Sequence, residues 1–108
     1  MNGDSLKALE EQHYTLYRNR DDMEANCKDD ACKRQVWDQY STARRNHDDC
    51  INKTFNQGDQ QVIDLTKECQ DKTAEINKAL QDLSDMTKVL QVVTAAVQVG
   101  SKLASLAI

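Results

Sequence analysis

Apolar and half-apolar side chains recur every three or four residues through nearly all of this chain, and no proline interrupts them. Leu6, Leu9, His13, Leu16, Met23 and Cys27 make one stripe, broken only by Arg20. Cys32, Val36, Tyr40, Ala43, His47, Cys50, Ile51 and Thr54 make a second, and Val62, Leu65, Cys69 and Ile76 open a third. That spacing is the period of an amphipathic helix. With three glycines in 108 residues (Gly3, Gly58, Gly100), the chain lacks the turn residues that a sandwich, barrel or Rossmann unit needs. The expected fold is all-α: a disulfide-stapled bundle of three or four antiparallel helices with a long apolar C-terminal helix, in one domain over residues 1–108.

The expected helices run over about 5–27, 31–55, 60–83 and 85–106. Ser5 reads as an N-cap, Asp29 and Asp30 precede the second helix where a cap and favourable dipole charges belong, and Asn56-Gln57-Gly58-Asp59 is the best turn signal. The last boundary is open. With Val62 as heptad position a, the a series continues as Cys69, Ile76, Leu83, Leu90, Val97 and Ala104, and the d series as Leu65, Lys72, Ala79, Met86, Val93, Gly100 and Ala107, which favours one helix from Gln60 to Val99, about 60 Å long. Ser84-Asp85 as a cap is the alternative, giving a four-helix bundle.

Cys27, Cys32, Cys50 and Cys69 are even in number in a short chain and read first as structural disulfides, with free thiols or a zinc site (the four cysteines, or His47 among them) as alternatives. In an unbroken helix Cys27 and Cys32 would diverge by about 140°, so a bond between them requires a turn. Cys50 and Cys69 lie symmetrically about the Gln57–Gln60 turn, which predicts a second bond, Cys50–Cys69. Disulfides imply export to an oxidising compartment, hence a secreted or cell-surface protein. The N-terminus carries no signal-peptide pattern, so the expectation is a piece of a larger exported protein or a mature chain whose leader has been removed.

The formal net charge is −4, with 18 acidic against 14 basic residues, so nucleic acid is not an expected partner. No phosphate-binding loop, zincin motif or nucleophile elbow occurs; no catalytic residue, metal ligand or cofactor is assigned, and an enzyme is not expected. His13 and His47 fall on apolar stripes, where a histidine bonded to a neighbour at the core edge is expected. Glu10-Glu11, Asp21-Asp22, Asp29-Asp30 and Asp48-Asp49 read as solvated faces, and Arg44-Arg45 as surface partners of Asp48-Asp49. Asn52-Lys53-Thr54 fits the glycosylation sequon. Trp37 and Tyr40 are either core-edge packing or a contact patch. From Val89 to Ile108 a narrow polar stripe (Gln91, Thr94, Gln98, Ser101, Lys102, Ser105) leaves a wide apolar face on which Val93, Val97, Leu103 and Leu106 are candidate partner or membrane contacts; the stripe argues against a permanent span.

The stretch Asn19 to Cys69, with Arg-Asp-Asp-Met-Glu-Ala-Asn-Cys27-Lys-Asp-Asp-Ala-Cys32-Lys-Arg followed by Tyr40 and Cys50, resembles the helical segment ahead of the toxin in bacterial contact-dependent growth inhibition effectors and related polymorphic toxins. It lacks their Val-Glu-Asn-Asn boundary and any toxin module. The resemblance implies a non-enzymatic delivery domain that engages an inner-membrane protein of a target bacterium, with transient membrane contact. The alternatives are a helical adaptor, a homo-oligomeric coiled-coil assembly on the Val62–Val97 seam, or an immunity or inhibitor protein.

Overall fold

The computed structural model describes residues 2–108, and these form four helices: α1 (Asn2–Ala25), α2 (Asp30–Cys50), α3 (Gln60–Ala79) and α4 (Met86–Ala104). The last three each start at an aspartate. Asp29 accepts from the Cys32 N–H at 2.8 Å, Asp59 from Gln61 N–H at 2.9 Å, and Asp85 from Thr87 and Lys88 N–H at 3.1 and 3.4 Å. Each carboxylate satisfies amides that have no partner inside the helix, worth about 1 kcal/mol per cap. Ser5 is not a cap: it lies inside α1, fully buried, its hydroxyl 2.7 Å from that of Thr66 on α3.

One continuous helix from residue 60 to 99 does not form. α3 closes on Leu80, whose N–H reaches Ile76 C=O at 2.9 Å, and Asp82 then accepts from both the amide and the hydroxyl of Ser84 at 3.0 and 2.6 Å. That side-chain turn competes with the helix and hands over to the Asp85 cap. The second helix also stops short of residue 55, at Cys50. Thr54 instead pairs with Ile108 through two backbone hydrogen bonds of 3.1 and 2.8 Å, tying the chain's last residue to the α2–α3 connection.

The helices alternate in direction, and their neighbours are α1 with α2, α2 with α4, α4 with α3, and α3 with α1. α2 and α3, consecutive in sequence, sit at opposite corners and do not pack on each other, while α1 and α4 meet across the other diagonal. Two apolar clusters fill the interior. Leu16, Met23, Val36, Tyr40, Ile76, Leu90, Val93 and Val97 pack at the disulfide end, and Leu9, Cys50, Phe55, Val62, Cys69, Val99 and Leu103 at the other. The heptad residues Val62, Cys69, Ile76, Leu90, Val97, Met86 and Val93 all face inward, so the seam is used within the bundle across the α3–α4 break.

Between the two clusters every helix contributes a polar or minimal residue: Gln12 and His13 from α1, Asn46 and His47 from α2, Thr73 from α3, and Gly100 and Ser101 from α4. Gln12, 1% exposed, donates to the Ala96 carbonyl at 2.9 Å. It reaches α4 because Gly100 has no side chain; a Cβ there would overlap the Gln12 amide. Asn46 donates to the Ser101 hydroxyl at 3.0 Å.

Candidate functional site

The Cys27–Cys32 disulfide closes the α1–α2 turn with the Cα atoms 5.5 Å apart. It holds together two helices whose shared outer face carries most of the molecule's aromatic side chains. Tyr14 and Tyr17 come from α1, three residues apart and off the Leu9/Leu16/Met23 stripe; Trp37 and Tyr40 come from α2 at the same spacing. Tyr14, Tyr17 and Trp37 are 42, 55 and 50% exposed, and Tyr40 is 5% exposed beneath them. The rings are continuous: Tyr14 meets Tyr17 edge-on at 6.5 Å, Tyr17 lies 6.1 Å from Tyr40, and Tyr40 lies 5.6 Å from Trp37. The Arg20 guanidinium sits 5.1 Å from the centroids of both Trp37 and Tyr40, a cation–π arrangement that explains why an arginine interrupts the apolar stripe of α1.

The aromatic face runs into the two histidines. His13 and His47 are 7 and 6% exposed, and their Nδ1 atoms lie 3.1 Å apart, so one donates to the other. Tyr14 stacks on His13 with centroids 4.7 Å apart. His47 Nε2 faces a carboxylate oxygen of Glu10 at 3.7 Å and its Nδ1 one of Asp48 at 4.0 Å; the other Asp48 oxygen faces Arg44 at 3.4 Å. Burial holds the His13 pKa below its ordinary 6.5; His47 and Arg44 push the same way, and Asp48 and Glu10 oppose them. The core-edge placement expected for both histidines is what the bundle provides.

The remaining expectations divide. Trp37 is exposed beside Arg20, but Tyr40, Val93, Val97 and Leu103 are buried core residues and Leu106 is half-buried against the second cluster. Of the polar stripe, Gln91, Gln98, Lys102 and Ser105 face outward, Thr94 is half-buried, and Ser101 turns into the polar layer to accept from Asn46. A Cys50–Cys69 bond is not formed: both cysteines are free and buried, because α2 and α3 occupy opposite corners. The Cys50 thiol points to the Ala104 carbonyl at 3.7 Å, whereas Cys69 contacts Ala8 C=O at 3.9 Å and Gln12 Nε2 at 3.7 Å. Burial raises both thiol pKa values, Cys69 to about 12, so neither is a thiolate nucleophile near neutrality. With Cys27 and Cys32 bonded to each other, the four cysteines do not assemble into a zinc site.

Tyr14, Tyr17 and Arg20 were not singled out from the sequence. Their signal is the i, i+3 tyrosine pair lying off the apolar stripe, in a chain whose aromatic residues all fall between Tyr14 and Phe55. Among the described residues, no helix is long and apolar enough to cross a membrane. No protein-family model, curated protein or solved structure matches the chain.

Proposed function

We propose that this chain is a non-enzymatic protein-binding domain working in an oxidising compartment, and that it docks through the α1–α2 aromatic face onto a membrane protein of a target bacterium during toxin delivery. The observation that carries the binding reading is the exposure of three aromatic side chains on one face, with Arg20 among them. Tyr, Trp and Arg are the residues that dominate binding energy when they become desolvated at the centre of an interface. The disulfide supports an oxidising location; the membrane-protein partner rests on the resemblance of Asn19–Cys69 to pre-toxin segments.

The face on α1–α2 is favoured over α4 as the contact element on energetic grounds. Freeing α4 would expose Val93, Val97 and Leu103, each 3% exposed or less, at about 1.5–3 kcal/mol per side chain. A homotypic coiled coil on the Val62–Val97 seam would require the same opening. The aromatic face needs no rearrangement.

The test is capture of detergent-solubilised inner-membrane proteins from a susceptible bacterium by the purified chain and by a Tyr17→Ala/Trp37→Ala variant, with circular dichroism to establish that both are folded. One membrane protein retained by the parent and at least ten-fold depleted by the double variant is the expected result. Capture that is the same for both, or no membrane protein retained by either, overturns the reading. Trp37 is the sole tryptophan, so a blue shift of its emission on adding the purified partner gives an independent readout.

A further inference from the structure

We infer that His13, His47 and Asp48 form a binding site for one divalent transition-metal ion of the zinc, cobalt, nickel and copper class, with a partly open coordination sphere. Their ligand atoms all lie within 4.8 Å of one another, and the two histidines are buried while Asp48 is at the surface. The site does not depend on the docking reading, although it borders the same face.

The geometry centres on the two Nδ1 atoms, 3.1 Å apart. Zinc–imidazole bonds are about 2.0–2.1 Å, so an ion bonded to both nitrogens would subtend about 95–100° at the present separation. A tetrahedral angle needs a widening of only a few tenths of an ångström. Asp48 Oδ1 is 4.0 Å from His47 Nδ1, and its half-exposed side chain can swing inward to supply the third ligand. Two imidazoles and one carboxylate suit transition metals rather than calcium or magnesium, which prefer all-oxygen sets. Water or a donor from a partner would fill the remaining positions.

The surroundings orient the set. Glu10 faces Nε2 of His47 at 3.7 Å, the place where metal-binding histidines commonly meet a carboxylate that keeps the proton on the outer nitrogen and turns the inner lone pair toward the ion. Tyr14 stacked on His13 fixes the second ring. Without metal, one Nδ1–H is donated to the other Nδ1; on binding, each neutral imidazole carries its proton on Nε2, and the ion takes the place of the shared hydrogen. Arg44 competes for the Asp48 carboxylate at 3.4 Å, and Asp48 must leave it to complete the site. Cys50 and Cys69 are buried protonated thiols elsewhere in the bundle and offer no competing ligands.

The experiment uses the untagged full chain, stripped with EDTA and dialysed, titrated with zinc chloride by calorimetry and with cobalt chloride by visible absorption. The expected result is one equivalent bound, a visible cobalt spectrum without thiolate bands, and a melting temperature that rises with zinc. His47→Gln should abolish binding, and Asp48→Asn and Glu10→Gln should weaken it ten-fold or more. Asp48 and Glu10 are surface side chains, so their variants keep the test decisive if His47→Gln does not fold. Absence of binding by the parent chain, or binding that is unchanged in folded Asp48→Asn and Glu10→Gln, overturns the site.

Discussion

The α1–α2 hairpin and the α3–α4 hairpin are alike in length and direction but distribute their side chains in opposite ways. α4 turns Val89, Leu90, Val93, Ala96, Val97, Val99 and Leu103 inward and shows water Gln91, Gln98 and Lys102. Its hairpin is joined through a hydrogen-bonded turn without a disulfide crosslink. α1 and α2 are richer in charge, bury a histidine pair, and leave three large aromatic residues outside, and a disulfide closes their turn. Among the described residues, Ile63 of α3 is the one large apolar side chain exposed on the helices of the second hairpin, whereas the first presents three aromatic residues together on one face.

That contrast is broken most directly by attacking burial in the second hairpin. Leu103 is fully buried, and Leu103→Ala should lower unfolding free energy by about 2–5 kcal/mol, measured by urea denaturation. A loss below 1 kcal/mol would mean that α4 is not a core element. On the first hairpin, replacing both Cys27 and Cys32 by alanine removes a short closed loop, worth about 2 kcal/mol in the chain-entropy model. By contrast, reducing agent should have no second bond to break: Cys50 and Cys69 should react with a thiol reagent only on unfolding. Mass mapping that finds them linked would refute the diagonal arrangement of α2 and α3.

The two hairpins meet at the polar layer, where Gly100 admits Gln12. Gly100→Ala gains about 1 kcal/mol of helix propensity but forces a methyl onto the Gln12 amide, an overpacking cost of about 1–3 kcal/mol, so a net loss near 1 kcal/mol is expected. Gln12→Ala removes the obstructing atoms, so in that background the same change should be neutral or stabilising. A double-mutant cycle with no coupling between positions 12 and 100 would show that α1 and α4 do not approach closely there.

The helix starts at Asp30 and Gln60 were legible because an aspartate N-cap is a local signal, read without knowing what lies across the bundle. The α3–α4 break was harder for a related reason. The heptad pattern records which face is buried, and that face continues from Ile76 through Met86 to Val93 although the backbone turns at Asp82–Asp85; period reports burial, not continuity. The Cys50–Cys69 pairing failed on lateral position. Symmetry about a turn sets height along the bundle, but residues 51–59 carry the chain to the opposite corner, and nothing local encodes that choice. In the candidate site, His13 and His47 were legible as core-edge residues, whereas their facing nitrogens depend on the offset between α1 and α2. Tyr14 and Tyr17 were hidden because a tyrosine in a helix is as consistent with the core edge as with the surface.

A pH titration sharpens the comparison, since both histidines lie in the first hairpin. The folded-state pKa of His13 is depressed, chiefly by burial, so below about pH 6.5 the unfolded chain binds more protons there than the folded one. Stability therefore falls as pH drops through that value and levels off below the folded pKa. In EDTA, His13→Asn should flatten this part of the profile; an unchanged slope would assign the loss to other groups.

The smallest expected change in stability is at Tyr17, and its size separates the two kinds of surface. Its side chain is more than half exposed, and its ring meets the partly exposed Tyr14 and the outer side of the buried Tyr40. Tyr17→Ala should therefore alter stability by no more than about 0.5 kcal/mol, against the several kcal/mol expected at Leu103. Trp37 also stacks under Arg20, and an exposed cation–π contact contributes about 0.5–1 kcal/mol, so Trp37→Ala should cost slightly more. If Tyr17 serves the fold, thermal melts of Tyr17→Ala will drop by several degrees and its aromatic neighbours will shift in the NMR spectrum. If it serves docking, the melts will overlay those of the parent while capture of the membrane partner falls, because truncating a central aromatic anchor costs about 2 kcal/mol or more in an interface, roughly thirty-fold in affinity.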